Sequence, residues 1–94
     1  MVTPQHVDGD QPGRIMIYTL STCGWCRKTK ALLNELGVAY DYIDMDTLSS
    51  EDRTEVRNEV AKWNPACSFP TMVIDGKECI IGFMEEKIRS AAGK

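Results

Sequence analysis

Residues 14–37 read RIMIYTLSTCGWCRKTKALLNELG, and this stretch determines the expected fold. Residues 14–19 are short, apolar and rich in β-branched side chains, which is typical of a buried strand. Residues 21–24 interrupt that pattern. From residue 25 to residue 36, small and apolar side chains recur at helical spacing, and Gly37 supplies a helix stop. The stretch therefore predicts a strand, a turn that contains two cysteines, and a helix.

The sequence after residue 37 predicts three more strands and two more helices. Residues 38–43 alternate as a second strand, parallel to the first across the helix. Ser49 and Ser50 are N-cap candidates for a second helix that stops at residues 64–65. A hairpin at Asp75-Gly76 joins two further strands, residues 71–74 and 78–81, and a last helix follows Gly82. The predicted order is βαβαββα, an α/β fold with a four-stranded mixed sheet flanked by helices.

The chain of 94 residues fits a single compact domain, which we assign to residues 14–94. Residues 1–13 contain prolines and glycines among polar neighbours, so we expect a mobile N-terminal tail there. His6 lies in this tail. A lone histidine of this kind is more often solvated than functional, so we leave His6 out of the expected site.

The overall charge restricts the classes of partner. Eleven Lys and Arg against fourteen Asp and Glu give a net charge of -3, which provides no attraction to nucleic acid or to an anionic membrane. The sequence lacks an apolar run of about eighteen residues and a secretory pattern at its N-terminus. We therefore expect a cytoplasmic monomer.

The spacing of Cys23 and Cys26 points to redox chemistry. Cys23 is placed at the start of a helix, where unpaired N–H groups and the helix dipole stabilise a thiolate, and Arg27 and Lys28 add positive charge. Cys26 follows three residues later and can return to the sulfur of Cys23 to resolve a mixed disulfide. Trp25 would provide an aromatic surface beside the reactive sulfur. We predict that Cys23 attacks and Cys26 resolves.

The other two cysteines leave room for a different interpretation. A zinc site would need Cys67 and Cys79 to complete the set, but eleven residues separate them and Cys79 falls inside a strand. We therefore predict no metal site and a structural Cys79. Cys67 precedes Pro70 in a loop expected near the active turn, and it is either a bystander or an auxiliary thiol.

With these residues assembled, the chain resembles the glutaredoxin family, including the glutaredoxin-like electron donors of ribonucleotide reductase. The resemblance extends from residue 14 to about residue 92 and depends on three motifs in the right order. These are Ile17-Tyr18-Thr19 leading into Cys23-Gly24-Trp25-Cys26, Ser68-Phe69-Pro70-Thr71, and Ile81-Gly82-Phe83-Met84-Glu85. It implies a thioredoxin-like fold and a protein disulfide oxidoreductase.

The resemblance also implies roles for individual residues. Pro70 should be a cis-proline that faces the cysteine pair, and the backbone of Phe69 should pair with a substrate chain. Gly82 should allow a glutathione-type ligand to approach, with the Met84 backbone and Glu85 near its γ-glutamyl end. The expected substrate-binding set is Trp25, Phe69, Pro70, Gly82, Phe83 and Glu85.

Three positions depart from typical glutaredoxins. Leu20 stands where a lysine often meets the glutathione carboxylate, and Phe83 replaces the second glycine of a Gly-Gly pair. We therefore expect weak glutathione binding and a thioredoxin-reductase-type enzyme as electron donor. Gly24 occupies a position where proline is common. The alternative functions are an ordinary glutathione-dependent glutaredoxin, or a module that binds or transfers a [2Fe-2S] cluster through Cys23.

Overall fold

The computed structural model describes residues 2–93 and contains five strands and three α-helices in that range. The elements follow the predicted order, preceded by one additional strand. They are β1 (Gln5–Val7), β2 (Ile15–Thr19), α1 (Gly24–Leu36), β3 (Tyr40–Asp44), α2 (Ser50–Trp63), β4 (Thr71–Ile74), β5 (Glu78–Ile81) and α3 (Glu85–Ala91). A short 3₁₀ turn, Met45–Thr47, connects β3 to the loop before α2.

The five strands form one mixed sheet in the order β1-β3-β2-β4-β5. Strands β2 and β3 are parallel, with Ile17 opposite Tyr42, and α1 makes the crossover between them. The pairs β2-β4 and β4-β5 are antiparallel. The predicted α/β fold, its βαβ unit and its C-terminal hairpin are therefore confirmed.

The prediction of four strands is wrong by one. Gln5–Val7, inside the expected tail, pairs antiparallel with β3 and places Val7 opposite Tyr40. Asp10 extends this attachment, because its N–H donates to Gly37 O at 2.9 Å and its carbonyl accepts from Ala39 N at 2.7 Å. A three-residue edge strand with two exposed polar side chains has too little alternation to be recognised from sequence. The domain boundary at residue 14 stays a prediction.

His6 makes side-chain contacts that also attach β1 to the sheet. Its Nδ1 lies 2.6 Å from Asp41 Oδ1, and its Nε2 lies 2.9 Å from Asp8 Oδ1. The hydrogen bond with Asp41, aided by Asp8, raises the pKa of His6 above its usual value. These groups are solvent-exposed, so the ion pairs contribute little to stability.

Caps fix the ends of the two long helices. Ser49 accepts a hydrogen bond from Asp52 N at the start of α2, which confirms one of its two predicted N-caps. Gly37 ends α1 in the left-handed conformation at φ 72°, a conformation that glycine adopts without steric cost. Both caps depend on local sequence, which explains why the sequence predicted the start of α2 and the end of α1.

Each face of the sheet packs against its own hydrophobic cluster. The larger cluster joins the sheet to α1 and α3, with Ile17, Leu33 and Ile88 completely buried. The smaller cluster is formed by β3, the 3₁₀ turn and α2, and it includes Ile43, Met45, Val56 and Val60. Helix α1 is therefore packed against one face of the sheet, and its first turn lies at the end of β2.

Over residues 2–93, no helix is both long enough and apolar enough to cross a bilayer.

Candidate active site

Cys23 is the N-cap residue of α1 and therefore lies where the chain leaves β2 and enters the helix. Its backbone is extended, at φ -84° and ψ 120°, and its N–H donates to Leu20 O at 3.0 Å. The Cys23 Sγ accepts a hydrogen bond from the N–H of Cys26 at 3.3 Å. A helix N-terminus that donates to sulfur stabilises a thiolate. Because Cys23 is only half-buried, this sulfur is open to a reaction partner.

Cys26 has a different environment, although only three residues separate it from Cys23. Its side chain is 1% exposed. Burial, followed by the hydrogen bond with Cys23, raises the pKa of the Cys26 thiol to about 12, while a hydrogen bond with the Leu20 backbone and the charge of Lys30 act in the opposite direction. Cys26 therefore keeps its proton at neutral pH while both thiols are free.

An exposed aromatic pair flanks the cysteine turn. The Trp25 side chain is 57% exposed, and its ring stacks on Phe83 with centroids 5.9 Å apart and an interplanar angle of 27°. Lys28 Nζ lies 4.6 Å from the centre of the Trp25 ring. Met84, also exposed, follows Phe83 in the chain. We call Trp25 and Phe83 the aromatic rim.

The loop before β4 carries the second motif of the site. The Phe69-Pro70 peptide bond is cis, which confirms the conformation predicted for Pro70. Pro70 is buried, whereas Phe69 is half-buried and packs against the smaller cluster. Gly82 N donates to Pro70 O at 2.9 Å, and Gly82 has φ 81°, which favours glycine. The structure thus brings the predicted residues Pro70 and Gly82 together.

Asn64 holds this loop in place, a role that was not predicted from the sequence. Its amide is buried, and Nδ2 lies within hydrogen-bonding distance of Ser68 O, Ser68 Oγ and Thr71 Oγ1, at 3.0 to 3.1 Å. The Thr71 hydroxyl also donates to Ser68 O at 2.7 Å. The sequence signal was an asparagine at the end of a helix, which usually indicates only a cap.

A second anchor, also not predicted from the sequence, lies before the cysteine turn. Asp46 Oδ1 accepts from Ser21 N at 2.8 Å, and Asp46 Oδ2 accepts from the Ser21 hydroxyl. These hydrogen bonds lower the pKa of Asp46 below its ordinary value. Asp46 follows β3, whose carboxyl end lies beside that of the parallel strand β2. That topology is the signal that would have paired the two residues.

A cavity of about 390 Å³ opens beside these loops. Leu20 and Phe69 line it together with Cys67, so Cys67 borders the region of the site, as the sequence predicted. The remaining lining residues are Met45, Asp46, Arg53 and Arg57. Two arginines therefore supply positive charge in the pocket where Leu20 does not.

Other predicted residues take no part in this arrangement. Glu85 is exposed at the start of α3 and forms an ion pair with Arg89 at 3.0 Å. Cys79 Sγ lies 3.7 Å from Trp63 O, and burial raises the pKa of this thiol. Among residues 2–93, no group of three or more His, Cys, Asp or Glu side chains is placed to hold a metal ion.

Comparison with known proteins identifies the family to which this chain is similar. A family model described as Glutaredoxin matches residues 15–79. Glutaredoxin-1 of Sus scrofa is 33% identical over 73 residues, which cover 77% of this chain and 68% of that protein. The chain spans between 59% and 68% of the length of the first four curated relatives that it matches.

Solved structures agree over a larger part of the chain. A glutaredoxin from Methanosarcina mazei Go1 is 44% identical with a TM-score of 0.88, and the match covers 97% of this chain and 88% of that one. Methanoredoxin of Methanosarcina acetivorans is 43% identical with the same TM-score, over 92% of this chain and 90% of that one. The likeness therefore includes the whole sheet and its helices.

Proposed function

Because the chain belongs to the glutaredoxin family of thiol-disulfide oxidoreductases, we propose that it reduces protein disulfides by cycling Cys23 and Cys26 between dithiol and disulfide. One observation carries the proposal. The Cys23 sulfur is accessible and accepts an N–H at a helix start, whereas Cys26 is buried behind it. This pair of environments supports an attacking thiolate and a protected resolving thiol.

The cycle transfers two electrons to the substrate. The Cys23 thiolate attacks one sulfur of a substrate disulfide, forms a mixed disulfide and releases the other substrate sulfur as a thiolate. Cys26 then loses its proton and attacks the Cys23 sulfur. The Cys23–Cys26 disulfide forms, the mixed disulfide breaks, and the second substrate thiolate leaves. The substrate has been reduced and the protein oxidised.

The surroundings of Cys23 favour a protein substrate. The aromatic rim offers apolar surface beside the sulfur, and aromatic residues supply much of the binding energy at protein interfaces. We assign the Phe69 backbone, Pro70 and Gly82 to the pairing of a substrate chain. A ribonucleotide reductase is one candidate substrate of this kind. The cytoplasmic location stays a prediction based on the sequence.

For the electron donor, we propose a thioredoxin-reductase-type enzyme in preference to glutathione. The uncharged side chain of Leu20 does not decide between the two electron donors, because Arg53 and Arg57 supply positive charge in the same pocket. The choice depends instead on Phe83, whose ring is stacked on Trp25 next to the cysteine turn. A side chain there occupies space that a glycine would leave to glutathione.

The test compares the two electron sources with the same oxidised protein. Reduction of the Cys23–Cys26 disulfide is followed with thioredoxin reductase and its nicotinamide reductant, and separately with glutathione, while a protein disulfide accepts the electrons. We expect faster turnover with the reductase, and no turnover by Cys23→Ser with either donor. Phe83→Ala should increase the glutathione rate, with Met84→Ala as the matched control.

Two outcomes would change the proposal. If glutathione supports turnover as fast as every reductase tried, the protein is an ordinary glutathione-dependent glutaredoxin. If anaerobic purification yields a brown protein with visible absorption that is lost in Cys23→Ser, a [2Fe-2S] role replaces the reductase role. A colourless protein with two titratable neighbouring thiols supports the dithiol cycle.

A further inference from the structure

A lysine lies on the inner side of the active helix. Lys30 follows Cys26 by one helical turn, and its side chain is only 21% exposed. Its Nζ lies 2.9 Å from Asp44 Oδ1 and 4.0 Å from the centre of the Tyr42 ring. The buried hydroxyl of Thr19 donates to the same oxygen of Asp44.

Packing alone does not explain this charged pair. The side chains of Lys30 and Asp44 are about four-fifths buried, and removing both ions from water costs free energy that an apolar pair would save. The neighbouring positions on this face of α1, Thr29 and Leu33, are uncharged. The pair also fixes the lysine in one place, because Asp44 and the Tyr42 ring hold the ammonium group from β3.

We propose that Lys30 is a positioning residue for the second half of the cycle, in which its fixed positive charge stabilises the Cys26 thiolate as that thiolate attacks the mixed disulfide. This inference depends on the proposed dithiol function. In the step, Cys26 gives its proton to solvent, a bond forms between the two protein sulfurs, and the bond from Cys23 to the substrate sulfur breaks.

The groups around Cys26 explain why the lysine matters at this stage. In the free dithiol, burial and Cys23 raise the pKa of Cys26, and the Leu20 backbone and Lys30 lower it. Once Cys23 is bound to a substrate sulfur, it no longer carries a negative charge. Burial then remains as the main obstacle to deprotonation, and the Leu20 backbone and the charge of Lys30 oppose it. Asp44 and Tyr42 of β3 are the titratable groups behind Lys30.

The two half-reactions can be observed separately with dithiobis(nitrobenzoate), a disulfide that releases a coloured thiolate. One equivalent is mixed with the reduced full-length protein in a stopped-flow instrument, in a Cys67→Ser, Cys79→Ala background. The attack by Cys23 releases the first thiolate, and the resolution by Cys26 releases the second. The second phase is recorded across a range of pH.

The variants remove or retain the charge. In Lys30→Met, we expect the second phase to slow by about tenfold at a given pH and its pH profile to move up by about one unit. The first phase should change less. Lys30→Arg should restore the native profile. Lys62→Met, which removes a charge from an exposed ion pair on α2, should leave both phases native.

The outcomes separate this inference from the proposed function. If the native protein releases no second thiolate, the dithiol cycle itself is wrong. If the native protein shows two phases and Lys30→Met has the native second phase and pH profile, Lys30 has no such role. Lys30→Gln is the second charge-free variant if the methionine variant does not fold, and the same criteria apply to it. Slow resolution in Lys30→Arg equal to that of Lys30→Met would also overturn the inference.

Discussion

The two sides of the first turn of α1 differ in exposure and in chemistry. The outer side presents the aromatic rim, where Trp25 is solvent-exposed and stacked on Phe83. The inner side contains buried Cys26 and the ion pair of Lys30 with Asp44. A reactive sulfur lies between them. We propose that partner recognition belongs to the outer side and that control of the resolving proton belongs to the inner side.

The largest expected effect comes from replacing each of the two active-site cysteines in turn. In Cys26→Ser, the Cys23 sulfur can still attack but nothing resolves the product, so mixed disulfides with protein substrates should accumulate. In Cys23→Ser, turnover should fall to the level measured without protein, and no mixed disulfide should form. Non-reducing electrophoresis with mass spectrometry measures both. Accumulation in Cys23→Ser instead would reverse the assignment.

A stability measurement tests whether buried Asn64 holds the loop that precedes β4 and carries Phe69 and Pro70. Asn64→Ala removes an amide that contacts Ser68 and Thr71 at the loop carrying Phe69. We expect the free energy of unfolding to fall by about 2 kcal/mol. Asn34→Ala, which removes one hydrogen bond with Tyr40, should cost less. Equal losses in urea denaturation would show that Asn64 has no special part in holding the loop.

Removal of the exposed ring tests recognition by the outer side. Trp25→Ala should reduce kcat/KM for a protein disulfide by about tenfold, since a stacked aromatic beside the sulfur would be lost. The rate with a small aromatic disulfide should change less. Because Trp25 stacks on Phe83, the double alanine variant should lose little more than the worse single variant. Fully additive losses would contradict a shared binding surface.

The smallest expected effect concerns the anchor of the cysteine turn. Hydrogen bonds from Ser21 lower the pKa of Asp46, so its stabilising contribution is present above the ordinary carboxyl value of 3.8 and is lost as pH falls through the lower folded value. Asp46→Asn should therefore destabilise the protein slightly at neutral pH, and the difference should shrink in acid. Urea denaturation of the two proteins across this range measures it, and a difference that grows in acid would contradict the sign.

The features that sequence predicted well are those with local signals. The hairpin strands Thr71–Ile74 and Glu78–Ile81 have the predicted bounds because a turn dipeptide separates two apolar runs. The position of Cys23 at a helix start followed from an interrupted strand pattern in the same way. Neither prediction required knowledge of distant contacts.

The features that sequence missed depend on contacts between distant positions. Lys30 and Asp44 lie fourteen residues apart, and their pair needs α1 packed against β3. Ser21 and Asp46 lie twenty-five residues apart, and their pair needs the parallel register of β2 and β3. The stack of Phe83 on Trp25 likewise requires α1 and the segment before α3 to be packed together. Single-residue patterns carry no information on such pairs.

Selective alkylation distinguishes a reactive Cys23 thiol from a protected Cys26 thiol. The reduced protein is treated briefly with iodoacetamide over a range of pH, and fragment mass spectra assign the label to each cysteine. We expect Cys23 to be alkylated at neutral pH and Cys26, whose pKa is raised to about 12 mainly by burial, to be modified only under strongly alkaline conditions. Alkylation of Cys26 as fast as that of Cys23 at neutral pH would contradict this expectation.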